Sequence, residues 1–237
     1  MHPASQLTLV VMAKECIPGQ VKTRLTPALS HALAADVAAA SLDDTLATVA
    51  AMPVARRVLA YTTDRCPALA AGFELLRQTD GDLDHRLAAV FDAARGYGWG
   101  TTVLIGMDTP QLRADHLAAC LKPAPGVDSW IGLAGDGGFW ALALRNPDGD
   151  LTRGVPMSAP TTGARQLERL LQAGHRVRLL PQLTDVDTIG TAAQVAAQIP
   201  HSRFTRALQA ALAQRRSEDH ETPLKFGIAG CFEGETI

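Results

Sequence analysis

Leu7-Thr-Leu-Val-Val-Met-Ala13 runs directly into Lys14-Glu-Cys-Ile-Pro-Gly-Gln-Val-Lys-Thr-Arg-Leu25. The first seven residues are continuously apolar and β-rich, without the in–out alternation of a half-exposed strand. That pattern predicts a strand covered on both faces, as in a parallel sheet. The polar stretch after it, broken by Pro18-Gly19, reads as a loop. A long Ala-rich helix is expected over 27–51, with Asp43 and Asp44 on its polar side, and a second strand over 57–62. Strand, helix, strand fits a right-handed βαβ unit. Outward from there the pattern predicts a helix at 84–95, a strand at 101–105 and a short helix at 114–121. Two strands, 129–134 and 139–144, flank a Gly-rich turn. A helix at 162–173, a strand at 176–180 and a helix at 188–198 follow. The alternation predicts one α/β domain over 1–200, a Rossmann-like three-layer αβα sandwich on a mostly parallel sheet. A C-terminal helix is expected over 201–216 and a loosely held, flexible tail over 217–237.

Length and charge narrow the function classes. A chain of 237 residues buries a sizeable single core. With 22 basic against 24 acidic residues the net charge is −2, which argues against a general nucleic-acid or anionic-membrane binder, so any anion site must be local. No apolar run reaches the roughly 18 residues of a membrane span. The Leu7–Ala13 run lacks a basic flank, so it does not read as a signal peptide. A soluble, cytoplasmic protein is expected. Cys16, Cys66, Cys120 and Cys231 are scattered without a CxxC pair, as reduced thiols would be. There is no GxSxG, no HExxH and no ligand-spaced pair among the seven His.

In open α/β sheets ligands bind beyond the carboxyl ends of the strands. Four loops there carry polar residues. The first places Gly19, Lys22, Thr23 and Arg24 before a helix, where a glycine, free N–H groups and two cations either suit phosphate or form a solvated cluster at a helix start. It is not a P-loop, since Cys16 and Val21 stand where that motif needs Gly. The second, Gly106-Met-Asp-Thr-Pro110, puts Asp108 at a central strand end, where it either holds Mg²⁺ or starts a turn. The third, Gly135-Asp-Gly-Gly138, is a tight hairpin. Alternatively, its glycines Gly137 and Gly138 let the backbone approach an acceptor, with Asp136 as anchor. In the fourth, Thr184-Asp-Val-Asp-Thr188, Asp187 caps a helix or Asp185 and Asp187 meet a cation shared with Asp108.

Together these loops resemble one family. Val11-Met-Ala-Lys14, Pro18-Gly19 and Val21-Lys-Thr-Arg-Leu25 are similar to the opening signature of a bacterial family of unassigned function with a GT-A-like fold. That family is of the DUF2064 type and often carries a glycosyltransferase label. It lies near the 2-phospholactate and molybdenum-cofactor guanylyltransferases. The resemblance continues through Gly81-Asp-Leu83 with Arg86-Leu87, then Gly106, Asp108 and Pro110, Asp136-Gly-Gly138, and Asp185-Val-Asp-Thr188. It departs at Asp84, where Gly is usual, and at Phe139-Trp140, where two Tyr are usual and would stand on the acceptor side. The resemblance implies a nucleotide-diphospho-sugar-transferase-like fold with Ala13, Gly19, Lys22, Thr23, Arg24, Gly81 and Asp82 around a nucleotide. It also implies Asp136, Gly137 and Gly138 around an acceptor.

Two reactions fit. In the first, a Mg²⁺- (or Mn²⁺-) dependent nucleotidylyltransferase joins a nucleoside triphosphate to a phosphorylated small molecule and releases pyrophosphate. Lys22 and Arg24 then clamp the triphosphate, and Asp108 with one or both of Asp185 and Asp187 carries the metal. In the second, a GT-A glycosyltransferase uses a nucleotide sugar. The central strand lacks the Asp-x-Asp that such enzymes usually carry there, and a diphosphate donor needs fewer cations. Both readings imply a small-molecule acceptor, no nucleic acid and no membrane, and they leave a homo-oligomer open. A third reading is a regulatory or scaffold protein that binds nucleotide without metal and without turnover.

Overall fold

A computed structural model describes residues 5–65, 67–122 and 124–221. Seven strands, β1 (Ser5–Ala13), β2 (Val54–Tyr61), β3 (Glu74–Arg77), β4 (Thr101–Gly106), β5 (Ser129–Leu133), β6 (Phe139–Leu144) and β7 (Val177–Leu179), form one sheet in the order β3-β2-β1-β4-β6-β5-β7. Only β6 runs against its neighbours, pairing antiparallel with both β4 and β5. The α/β class and the mostly parallel sheet read from the sequence are therefore the observed ones. β1 lies between β2 and β4, with Leu9, Val10 and Val11 fully buried. That placement is why its sequence is apolar on both faces.

The helices are α1 (His31–Ala50), α2 (Leu83–Gly96), α3 (Ala118–Leu121), α4 (Thr162–Gln172), α5 (Ile189–Gln198) and α6 (Arg203–Glu221). On one face, Leu9, Val11, Val103 and Ile105 pack with Ala38, Leu42 and Leu46 of α1 and with Cys120 of α3. On the other, Val10, Met12 and Leu104 pack with Val90 and Phe91 of α2 and Leu170 of α4. A third cluster joins the far side of α1 (Leu33, Ala34, Val37) to α5 and α6 through Val195, Phe204 and Leu208. α1 is thus covered from two sides, which accounts for its Ala-rich, nearly all-round apolar composition. Among the described residues no helix is long and apolar enough to cross a membrane.

Three differences from the sequence reading have physical causes. β3 was not expected: it is an edge strand with only the central pair Leu75-Leu76 apolar, so its pattern is too short to register. α1 starts at His31, four residues later than expected. A 3₁₀ turn occupies Thr23–Leu25, and Ser30 caps the helix by accepting from the Leu33 amide at 3.3 Å. α6 continues to Glu221, past the expected end at 216. The rest of the expected 217–237 tail, with Cys66 and Cys231, lies outside the described residues.

Asp44 is the main correction, because it is buried and not on a polar face. Its carboxylate accepts from the Arg203 amide (3.2 Å), the Arg203 guanidinium (3.3 Å) and the Phe204 amide (2.8 Å). Ser202 Oγ accepts from the Thr205 amide at 2.9 Å, so the first three N–H groups of α6 are all satisfied. Replacing Asp44 with Ala strands two of them, an expected loss of about 1–3 kcal/mol. At roughly 2–4 °C per kcal/mol for a chain of this size, Tm falls by several degrees. Asp36→Ala, an exposed position on the same helix, serves as control. Equal Tm values for the two variants would refute the capping role.

Candidate functional site

The register across the sheet brings several strand ends to one line. Ala13 pairs with Tyr61, Tyr61 with Arg77, and Met12 with Gly106. The loops after β1, β3 and β4 therefore open on the same edge, joined there by the β5–β6 turn and the segment after β7. Each position singled out in the sequence lies on one of these loops or, like Ala13, at a strand end.

The loop after β1 is tied down at both ends. The Glu15 amide donates to Thr62 Oγ1 (3.0 Å), and Lys14 Nζ donates to the Gln20 carbonyl (3.1 Å). Gly19, at φ 78°, takes the left-handed turn that glycine tolerates best. Lys22 is also left-handed (φ 47°, ψ 37°), unusual for a side-chain-bearing residue. Its side chain is only 8% exposed and sits among oxygens. Nζ is 2.6 Å from Asp108 Oδ1 and also donates to the Val186 carbonyl. Arg24, by contrast, is 72% exposed and pairs with Asp187 Oδ2 at 2.5 Å. Thr23 is exposed beside it.

Asp108 is held from several directions. Ser41 Oγ donates to the Met107 carbonyl (2.7 Å). The Val186 amide donates to the Asp108 carbonyl (2.9 Å), and Gln111 Nε2 donates to the Thr184 carbonyl (2.7 Å). The β4 loop and the 184–188 segment are thus stitched together. On that segment Thr188, not Asp187, caps α5 by accepting from the Thr191 amide (3.3 Å), which leaves the Asp187 carboxylate for Arg24. Asp185 has a buried carboxylate oxygen without a hydrogen-bond partner. Burial first, then the charges of Asp108 and Asp136, push its carboxyl up to about 7, against the opposing pull of Lys22. Among the described residues no three His, Cys, Asp or Glu form a ligand set. Asp108 and Asp187, expected to share an ion, are each held by a cation of the first loop.

On the other side of β1, Gly81 (φ 111°) and Asp82 form the exposed turn into α2. Asp82 makes no side-chain cap there. Sequence reading missed Gln78, whose amide donates to the carbonyls of Ala13 and Ala60, both at 2.7 Å, and fixes the ends of β1 and β2. Nothing in its type or spacing marks it, only its place just before Gly81-Asp82. The Val186 carbonyl was equally invisible, being backbone. Asp84 is a structural latch, buried and accepting from the Gly154 amide at 2.9 Å. Cys16 lies within electrostatic reach of Asp108 and Lys22. Burial, followed by Asp108 and Asp43, pushes its thiol up to about 11, so it stays protonated.

The Gly-rich turn is the predicted hairpin between β5 and β6. Its close backbone approach is made by the chain itself. A Cβ on Gly137 would lie 1.9 Å from the Pro160 carbonyl oxygen, and one on Gly163 would lie 2.4 Å from the Gly138 oxygen. Asp136 remains exposed, accepting from the Gly138 amide at 2.8 Å. The expected acceptor-side place of Trp140 does not hold. Its ring is buried against Gly132 and its indole N–H donates to the Pro181 carbonyl at 3.0 Å.

The raised Asp185 carboxyl has a consequence for stability. Unfolded, the group loses its proton in the ordinary carboxylate range; folded, it keeps the proton up to about pH 7. Between those values unfolding releases a proton, so rising pH favours the unfolded chain. Thermal melts in chelator should therefore show Asp185→Asn gaining on the parent as pH rises from 4 to 8. A parallel pH dependence in the two proteins would contradict this.

Comparison with known proteins bears on the fold and family. The model of a bacterial family described as "Uncharacterized protein conserved in bacteria (DUF2064)" matches residues 45–159. No curated protein sequence matches. Among solved structures, a proposed nucleotide-diphospho-sugar transferase from Desulfovibrio desulfuricans G20 is 22% identical, with TM-score 0.78 over 90% of this chain and 98% of that one. A CMP:2-keto-3-deoxy-manno-octonic acid synthetase complexed with CTP is 14% identical, with TM-score 0.52 over 83% and 99%. A cytidylyltransferase from Leptospira borgpetersenii is 12% identical, with TM-score 0.52 over 92% and 98%. The resemblance read from the motifs is thus met by the DUF2064 family over residues 45–159, and the chain shares the fold of these proteins over most of its length.

Proposed function

We propose that this chain is a divalent-metal-dependent nucleotidylyltransferase that joins a nucleoside triphosphate to a phosphorylated small molecule. One observation carries the reading: two cations of a single loop, Lys22 and Arg24, meet the carboxylates Asp108 and Asp187 at the carboxyl edge of the sheet. Lys22 Nζ donates to a carbonyl oxygen and pairs with a carboxylate oxygen, with the unpartnered Asp185 oxygen on the segment that carries Val186. Hard oxygens of this kind fit Mg²⁺ or Mn²⁺, which take one or two carboxylates and leave the other positions to water and phosphate. Asp108 and Asp185 would hold the ion, with Asp187 beside them. When bound, the ion would neutralise charge on the polyphosphate.

The protein's own residues do the positioning. Lys22 and Arg24 bind the triphosphate oxygens, and Thr23 with the loop amides orients them. Gln78 keeps the end of β1 rigid beneath the nucleotide, with Gly81 and Asp82 along its edge. Asp136 stands on the acceptor side, where Gly137 and Gly138 shape the turn. An acceptor phosphate oxygen forms the new bond to the α-phosphorus, and the bond to the bridging oxygen breaks, so pyrophosphate leaves with the electron pair. The attacking oxygen is already ionised, so no general base is needed. Such a reaction suits a cytoplasmic protein acting on small molecules and not on nucleic acid.

The second reading, glycosyl transfer from a nucleotide sugar, is favoured by the high similarity in fold to the Desulfovibrio protein and by the literal Asp185-Val-Asp187. Pyrophosphate release separates the two. With a triphosphate and phosphorylated acceptors, Lys22→Met and Arg24→Ala should each lower its rate by about 10²–10³, the scale of losing one transition-state donor. Asp108→Asn should abolish the metal requirement together with activity. An Arg24→Ala rate within a few-fold of the parent would contradict the triphosphate clamp.

A further inference from the structure

Lys22 stands where a hard cation belongs. Its backbone is left-handed, its side chain is 8% exposed, and the following residues Thr23 and Arg24 are exposed. The left-handed turn sends this one side chain inward. There its ammonium meets Asp108 Oδ1 at 2.6 Å and the Val186 carbonyl, while Asp185 on the same segment keeps a buried oxygen with no partner. An ammonium donates hydrogen bonds to such oxygens, and a divalent ion ligates the same ones. Two cations cannot share them at contact distance without strong repulsion.

We infer that the Lys22 ammonium and the divalent ion compete for one oxygen set, so that entry of the ion expels Lys22 from Asp108 and turns it toward the phosphates. The inference rests on the transferase reading and adds a mechanism of assembly to it. Metal alone must displace a lysine with nowhere better to go. Polyphosphate alone finds Lys22 engaged with a carboxylate. Together each removes the other's obstacle, because the ion takes Asp108 and the phosphate takes Lys22. Metal and polyphosphate therefore bind with positive coupling, and by linkage each strengthens the other by the same factor.

Calorimetric titration of Mn²⁺ into the full chain, with and without inorganic pyrophosphate, tests this without any turnover. The parent should bind Mn²⁺ weakly alone and roughly tenfold or more tighter with pyrophosphate, within the usual 5–150-fold range of such couplings. Lys22→Met vacates the oxygens. It should bind Mn²⁺ alone roughly tenfold tighter than the parent and gain little from pyrophosphate. Lys14→Met removes a charge from the same loop without vacating a ligand and should change little. Asp108→Asn frees the lysine from the other side, so pyrophosphate should bind it without Mn²⁺ at least as well as it binds the parent. If Lys22→Met binds Mn²⁺ no tighter than the parent, or only as much tighter as Lys14→Met, the competition is refuted while the transferase reading stands. If no protein binds Mn²⁺ even with pyrophosphate, both fall.

Discussion

Lys22, Asp108 and Val186 come from three different loops and meet at one ammonium nitrogen. The mostly parallel sheet makes that meeting possible. Strands that run the same way end on the same edge, and here the loops after them bring Asp108, Asp136, Asp185 and Asp187 close enough to repel one another. Such a group is tolerated through counter-charges among the acids and through the proton that Asp185 keeps. The chain supplies the counter-charges from the loop after β1, burying Lys22 among the acids and laying Arg24 over Asp187 at the rim. The backbone bond between Val186 and Asp108 and the reach of Gln111 to Thr184 hold the same two segments in register. The arrangement thus balances the acids in the fold, and under the proposed function the same atoms would also meet the ligand.

That double use explains what could be read from the sequence and what could not. The apolar run of β1 announced a doubly covered strand, and the polar loops after the strands fell at one edge as the topology demands. Types and order were enough to put Lys22, Arg24, Asp108, Asp185 and Asp187 on loops at that edge. What they could not give was pairing. Lys22 and Arg24 look alike in the string, yet a left-handed backbone at Lys22 buries one and leaves the other in solvent. Asp44 looked solvated because it follows Asp43 on a helix, but its partners, the Arg203 and Phe204 amides, are 160 residues away or nearly so. Gly137 invited a substrate contact, whereas the approaching backbone is that of Pro160. β3 escaped notice because an edge strand needs few apolar residues. β3 aside, the deciding partner is distant in sequence, and local pattern has no access to it.

The shared fold narrows the chemistry less than the site does, since one fold hosts many reactions. Nucleotidyl and glycosyl transfer differ in how much negative charge the donor brings to the first loop and in where the bond breaks. Two cations are already balanced by two carboxylates, and under the proposed function they exchange partners: a metal for the acids and phosphates for the bases. A triphosphate carries enough charge to engage both cations with an ion alongside. A nucleotide sugar's diphosphate carries two negative charges, too few to balance both cations and a divalent ion together.

The most direct test is a calorimetric comparison of ATP, GTP, CTP and UTP with UDP-glucose and GDP-mannose, each with and without Mg²⁺ on the intact chain. One triphosphate should bind in a Mg²⁺-dependent way, in preference to the others and to both nucleotide sugars. Tighter binding of a nucleotide sugar, or triphosphate binding indifferent to Mg²⁺, would contradict the nucleotidylyltransferase reading.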